Sequence, residues 1–227
     1  MIRSVQGDDQ SAAKSALEEL CKTYWFPLYS FVQHQGHQAQ TAADLTQAFF
    51  EDLLARNDLN KVDPKHGKFR SFIVASLKHF LLNEWDKQQA QKRGGNRNIF
   101  SIDYDEADQR YRNEPVHENT SDKVFERQWA LTLIERTNRA LAEHFESLGK
   151  AHQFEKMKIF LAGKSSETTL GTVAGQLGMT EVALKVAVHR MRQKFGELLR
   201  LEIEQTVDSP GDIDEEIQHL FGILSHQ

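Results

Sequence analysis

The chain has 227 residues, with 28 Lys and Arg against 33 Asp and Glu, a net charge of −5 and 39% hydrophobic residues. It is long enough for one large domain or two small ones. A single cysteine, Cys21, excludes a disulfide scaffold, and no apolar run approaches the roughly 18 residues of a membrane-spanning helix. The opening residues lack the apolar core of a signal peptide, so a soluble cytoplasmic protein is expected, and mild acidity alone argues against a nucleic-acid partner.

β-Branched alternation is nearly absent, and apolar residues recur at helical spacing instead. The first helix is predicted over about Gln10–Gln33, with Leu17, Leu20, Tyr24, Leu28, Phe31 and Val32 on one face. The second covers Ala39–Ala55, where Ala42, Leu45, Phe49 and Leu53 share a face. Pro64 and Gly67 interrupt the pattern, a long third helix follows over Phe69–Gln91, and Gly94 and Gly95 stop it. Residues 98–121 lose periodicity, turn acidic and contain Pro115, and read as a linker. Helices resume over Ser121–Leu148 and Ala151–Leu161, punctuated by Gly149 and Gly163. A short helix over Leu170–Leu177 passes through Gly178, Met179 and Thr180 into a longer one over Glu181–Leu201, with Thr180 as its N-cap. A last amphipathic helix is expected over Ile213–Leu224. The expected fold is all-α: an N-terminal helical bundle and a C-terminal helix-turn-helix domain, two small domains joined by a flexible acidic linker.

The total charge hides its distribution. Residues 61–97 hold nine bases and three acids, a local +6, and residues 180–200 hold five bases and two acids, +3. Residues 98–128 are −4, and the tail from residue 201 holds seven acids and no Lys or Arg. Residues 1–200 are therefore +2, and both positive stretches fall on predicted helices. The tail is expected either to pack near the basic helix of the second domain or to bind a partner, against the plainer reading of a solvating segment with a capping helix.

Residues 170–200 have the plan of a helix-turn-helix unit. Leu184, Val188, Met191, Phe195 and Leu198 form one apolar stripe, and Lys185, His189, Arg192 and Lys194 lie opposite, with Thr180 and Glu181 at the tip. An apolar back with a basic front suits a helix in the major groove, where cations meet phosphates or guanine edges. Small residues, Ala174 and Gly178, stand where the two helices are expected to cross closely. The competing reading is an ordinary surface helix with a solvated face. The third helix mixes Phe72, Leu77, Phe80, Leu81 and Trp85 with Lys68, Arg70, Lys78, His79, Lys87, Lys92 and Arg93. Cations interleaved with rings suit single-stranded nucleic acid, although core packing explains most of the rings equally well.

Together these features resemble a known family. Asp44-Leu45-Thr46-Gln47-Ala48-Phe49-Phe50 resembles the D-L-x-Q-E-x-F signature of bacterial RNA polymerase sigma factors of the extracytoplasmic-function class, within the sigma-70 family. Phe69-Arg70-Ser71-Phe72 and its basic helix resemble that family's F-R-x-W/F segment, and the helix-turn-helix matches its final domain. Leu20–Tyr29 and Asn83–Gly95 are further similar to a subgroup with L-C-x-x-Y-W-x-P-L-Y and N-E-W-D-x-x-x-A-Q-K-R-G-G. The likeness covers about residues 10–205. Ala48 replaces the family's usual acid, and His79 and Asn83 stand where Asn and Asp are frequent. The acidic extension is absent from minimal members.

The resemblance implies a sigma region 2-like domain over 1–97, a linker over 98–121, a region 4-like domain over 122–205 and an extension over 206–227. Asp44, Leu45, Gln47, Phe49 and Phe50 would dock on the β′ clamp helices of core RNA polymerase, with Leu45 and Phe49 the expected core members. Lys78, His79, Asn83, Asp86, Lys87, Lys92 and Arg93 would recognise and help melt the minus-ten promoter element. Thr180, Glu181, Lys185, His189 and Arg192 would read the minus-thirty-five element, while Arg190 and Lys194 reach phosphates or solvent. Core polymerase (β′ clamp helices and β flap) and promoter DNA are the expected partners, with an anti-sigma factor or other regulator left open and no membrane. A helix-turn-helix activator or repressor is the alternative, but it leaves the DLTQAFF helix and the basic aromatic helix unexplained.

No enzyme, cofactor or metal site is expected. His34 and His37 lack zinc-ligand spacing relative to Cys21. No phosphate loop or nucleophile elbow occurs, and Glu18–Glu19 and Glu51–Asp52 are adjacent helix positions that point apart.

Overall fold

The computed structural model describes residues 10–55, 69–90, 120–161, 169–207 and 210–225, with side chains placed from residue 19 in the first helix and to residue 87 in the third. All regular structure among these residues is helical: α1 (Gln10–His34), α2 (Ala39–Ala55), α3 (Phe69–Ala90), α4 (Ser121–Ser147), α5 (Ala151–Met157) with a 3₁₀ turn (Lys158–Phe160), α6 (Leu170–Gln176), α7 (Glu181–Glu204), and a 3₁₀ turn (Pro210–Asp212) before α8 (Ile213–Ser225). The helix boundaries expected from glycine, proline and capping signals agree to within a few residues. The linker and the stops at Pro64, Gly67, Gly94, Gly95 and Gly163 lie outside the described residues. No described helix is long and apolar enough to cross a membrane.

The chain forms two compact units, Met1–Thr132 with Glu204–Gln227, and Leu133–Ile203. In the first, α1 buries Leu20, Tyr24, Leu28, Phe31 and Val32, all at 2% exposure or less. The same unit buries Ala42, Phe49, Phe50 and Leu53 of α2, Phe69, Ile73, Leu77 and Phe80 of α3, and Phe125 and Trp129 of α4. Rings dominate this core: Tyr24 meets Phe69 edge-on at 5.3 Å, and Phe49 meets Phe80 at 5.8 Å. Each such side chain contributes about 1.5–3 kcal/mol by leaving water. Burial also pushes the Tyr24 phenol well above its ordinary range. Thr120 opens α4, its hydroxyl accepting from the Lys123 amide at 3.4 Å, and Ser121 bonds His34 at 3.1 Å.

The start of α4 and the residues after Ile203 thus belong to the first unit, whereas the sequence assigned them to a second domain and a separate extension. Phe125 and Trp129 account for the former, since both are fully buried in the first unit's core. α8 accounts for the latter: its Glu216 engages Arg70 of α3.

The second unit has its own core of Leu141, Phe154, Met157, Phe160, Val173, Ala174, Leu184, Val188 and Met191. α4 ends at Gly149 (φ 68°), where the Lys150 amide bonds the Phe145 carbonyl at 2.8 Å. α6 ends in the same way at Gly178 (φ 63°): the Met179 amide bonds Ala174 at 2.9 Å and the Gly178 amide bonds Gly175 at 3.2 Å. This is a Schellman closure, which places its next-to-last residue in left-handed backbone that favours glycine. Arg136 and Glu202 join α4 to α7 by an ion pair of 2.7 Å.

Candidate functional site

α6, the turn and α7 build the helix-turn-helix. The Thr169 hydroxyl accepts from the Thr172 amide at 3.2 Å and caps α6, and Thr180 caps α7 by accepting from the Ala183 amide at 3.2 Å. Two capped starts and one Schellman stop fix the angle through local bonds. The apolar stripe of α7 is buried at Leu184, Val188 and Met191, continues at half-buried Phe195 and Leu198, and extends to buried Leu199 and Ile203. Gly178 serves the turn by its positive φ and not by close helix crossing, since a Cβ there would meet nothing within 4 Å. The close approach falls at Gly171 instead, where a Cβ would stand 2.8 Å from Glu181 Oε1.

On the outer face, Thr180, Glu181, Lys185, His189 and Arg190 are exposed. Arg192 is tied down: its Nε and Nη2 donate to the Phe160 carbonyl at 3.0 and 2.5 Å. That carbonyl ends the 3₁₀ turn, so the Arg192 guanidinium ties α7 to the turn rather than standing free. Lys194 is half-buried and bonds Glu197 at 3.0 Å. Beside this face runs a groove of about 550 Å³ lined by Phe145, Leu148, Lys150, Met179, Val186 and Arg190.

In the first unit the sequence-derived residues divide by depth. Asp44 is exposed and accepts from Gln40 at 3.0 Å, and Gln47 is half-buried and donates to Glu51 at 3.2 Å. Phe49 and Phe50 are both buried, so Phe50 takes the core place expected for Leu45. Leu45 is half-buried and lines a groove of about 580 Å³ with His37, Lys78, Leu81, Leu82 and Trp85. Lys78, His79, Asn83, Asp86 and Lys87 are exposed along α3. Lys78 pairs with Asp122 at 2.6 Å and lies over the Phe31 ring, and Lys87 pairs with Glu84 at 2.6 Å. Lys92 and Arg93 lie outside the described residues.

Two features of this face escaped the sequence pattern. Leu82 and Trp85 are 62% and 60% exposed, a large apolar surface on a helix that also carries the polar candidates. Their position could have been read from α3 itself: Ile73, Leu77 and Phe80 occupy its buried face, and residues 82 and 85 fall outside that stripe. Arg70 is the second, since it is buried against carboxylates instead of exposed. Among the described residues no group of three or more His, Cys, Asp or Glu side chains is placed to hold a metal ion, and Cys21 is half-buried. Compared with family models, curated proteins and solved structures, the chain matches none of them.

Proposed function

We propose that the chain is a sigma factor of the extracytoplasmic-function class, acting in the cytoplasm by binding core RNA polymerase and directing it to promoters. The observation that carries this reading is the outer face of α7. Thr180, Glu181, Lys185, His189 and Arg190 are exposed on a helix whose other side is locked into a core and whose start is fixed by a cap. A rigid helix offering polar and basic side chains from its N-terminal turns suits base reading in the major groove. The second support is α3, where Lys78, His79, Asn83, Asp86 and Lys87 share the exposed surface with Trp85 and Leu82. Cations track a phosphate backbone there while rings receive unstacked bases.

On this reading the protein works by binding and catalyses no reaction. Asp44, Leu45 and Gln47 present the polymerase-facing edge of α2, and Phe49 and Phe50 hold that edge in place from within the core. Two modules of modest DNA affinity, region 2-like and region 4-like and joined by the acidic linker, gain strength from their effective concentration on one polymerase. In vitro transcription with sigma-free core polymerase tests the proposal. A promoter-dependent transcript that requires the added chain is expected. DNA binding without such a transcript would instead identify a helix-turn-helix activator or repressor and overturn the reading.

A further inference from the structure

The acidic C-terminal segment has no part in the mechanism above, and its contacts are specific. α8 buries Ile213, Glu216 and Leu220, which share one helical face. Glu216 is only 1% exposed, while its neighbours Asp214 and Glu215 are exposed. A carboxylate so deeply placed is costly unless a cation meets it. Arg70, 5% exposed in the first turn of α3, does so. Its Nη2 donates to Glu216 Oε1 at 3.2 Å, and its Nε faces Oε2 at 3.2 Å. Nη1 of the same guanidinium bonds Glu126 of α4. The guanidinium also lies 4.6 Å from the centroid of the Trp129 ring. His219, three residues beyond Glu216, reaches the other side of the cluster, 3.0 Å from Glu126 Oε2. Arg70 is therefore held by carboxylates from two helices and by an aromatic face. A solvating tail would leave its acids in water, and a plain apolar cap would place no carboxylate between Ile213 and Leu220.

We propose that α8 is a positioning strap for α3. Glu216 anchors Arg70, and through it the first turn of the helix whose later turns carry Lys78, His79 and Asn83. The lock itself follows from the contacts of α8, and its effect on promoter opening rests on the sigma-factor reading.

Full-length wild-type chain, Glu216→Gln and the double variant Arg70→Met/Glu216→Met test it by hydrogen exchange and by promoter opening with core polymerase. Glu216→Gln keeps the side-chain shape and removes the charge. It is expected to exchange α8 and first-turn α3 amides at least tenfold faster, with α7 residues 184–191 unchanged. Promoter opening should fall about tenfold at unchanged core-polymerase affinity. The double variant removes both buried charges, which guards against misfolding from one left alone. It should melt near wild type yet open promoters as poorly as Glu216→Gln. Wild-type exchange in Glu216→Gln, or wild-type opening by the double variant, would overturn the strap. An inactive wild-type chain would refute the sigma-factor reading, and the exchange result would still decide the lock.

Discussion

Replacing Arg192 separates the two roles that the sequence and the structure give it. If Arg192 reads a base, its loss lowers DNA affinity and leaves the fold alone. If it closes the 3₁₀ turn through the Phe160 carbonyl, its loss leaves that oxygen without its two N–H donors. A hydrogen bond from a charged donor contributes about 1.5–3 kcal/mol net. Both donors converge on one oxygen, and the Arg192 side chain remains in contact with solvent. Those two facts place Arg192→Ala at the low end, about 1.5 kcal/mol. For a unit of this size that corresponds to a fall in Tm of roughly 6–12 °C. Arg192→Lys should recover only part of it, because an ammonium cannot present two fixed donors to one oxygen. Thermal melting followed by circular dichroism, with promoter binding at fixed salt, reads both quantities. Lys185→Ala and His189→Ala serve as the contrast: they should weaken DNA binding and leave Tm unchanged. An Arg192→Ala variant that melts with the wild type but loses tenfold or more in DNA affinity would refute the structural assignment.

Gly178→Ala should lower stability by about 1–2 kcal/mol through its left-handed backbone, whereas Gly171→Ala should stay within about 0.5 kcal/mol because only the tip of Glu181 must move. Urea midpoints check both, and equal costs would contradict the division between turn and close approach. Leu82→Ala with Trp85→Ala should change stability by less than about 0.5 kcal/mol, both side chains being mostly in water, and should cut promoter-dependent transcription more than tenfold; full transcription would remove this surface from the site. Tyr24 gives a pH dependence. Burial raises its pKa in the fold above the ordinary 10.0, an effect that the Arg70 charge partly offsets. Below pH 10 both states keep the proton and Tyr24 makes no difference, but above it the unfolded chain alone releases the proton. Stability should then fall by about 1.4 kcal/mol per pH unit. Tyr24→Phe should show a shallower alkaline loss than the wild type, and parallel curves would sink the assignment.

The helices were legible because their ends are written in local chemistry. Thr180 caps and Gly178 stops through bonds that span a few residues, so spacing alone reveals them. Depth within a helix was harder. The buried positions of α2 centre on Thr46, a polar residue that enters the core because its hydroxyl bonds the Ala42 carbonyl at 2.7 Å. At about 100° per residue, Leu45 stands one full step round from that centre and Phe50 falls inside the buried arc. A face drawn through the apolar letters alone misses the polar residue that sets it. The bond that Arg192 makes to the Phe160 carbonyl escapes the pattern for a related reason. Its side chain starts on the basic side of α7 and is long enough to bend back to a carbonyl on a separate turn, and no periodicity encodes that reach.

The same limit applies to charge. The +6 counted over residues 61–97 includes Arg70, whose two carboxylate partners lie 56 and 146 residues away in the chain. Counting by segment places Arg70 with the bases proposed to face DNA and Glu216 with a solvating tail, although the fold cancels one against the other in its interior. Lys78 and Lys87 also have acidic partners, but at the surface, where such a pair is worth only about 0–1 kcal/mol. A phosphate can displace Asp122 or Glu84 at that cost, and the lysine then still contributes to counterion release. No phosphate can displace Glu216 without opening the core. The salt dependence of DNA binding should therefore fall when Lys78 or Lys87 is replaced by Gln. In Arg70→Met/Glu216→Met it should stay as in the wild type, because that arginine is buried in the fold and lies outside the surface proposed to meet DNA. A reduced salt slope in the double variant would show the opposite.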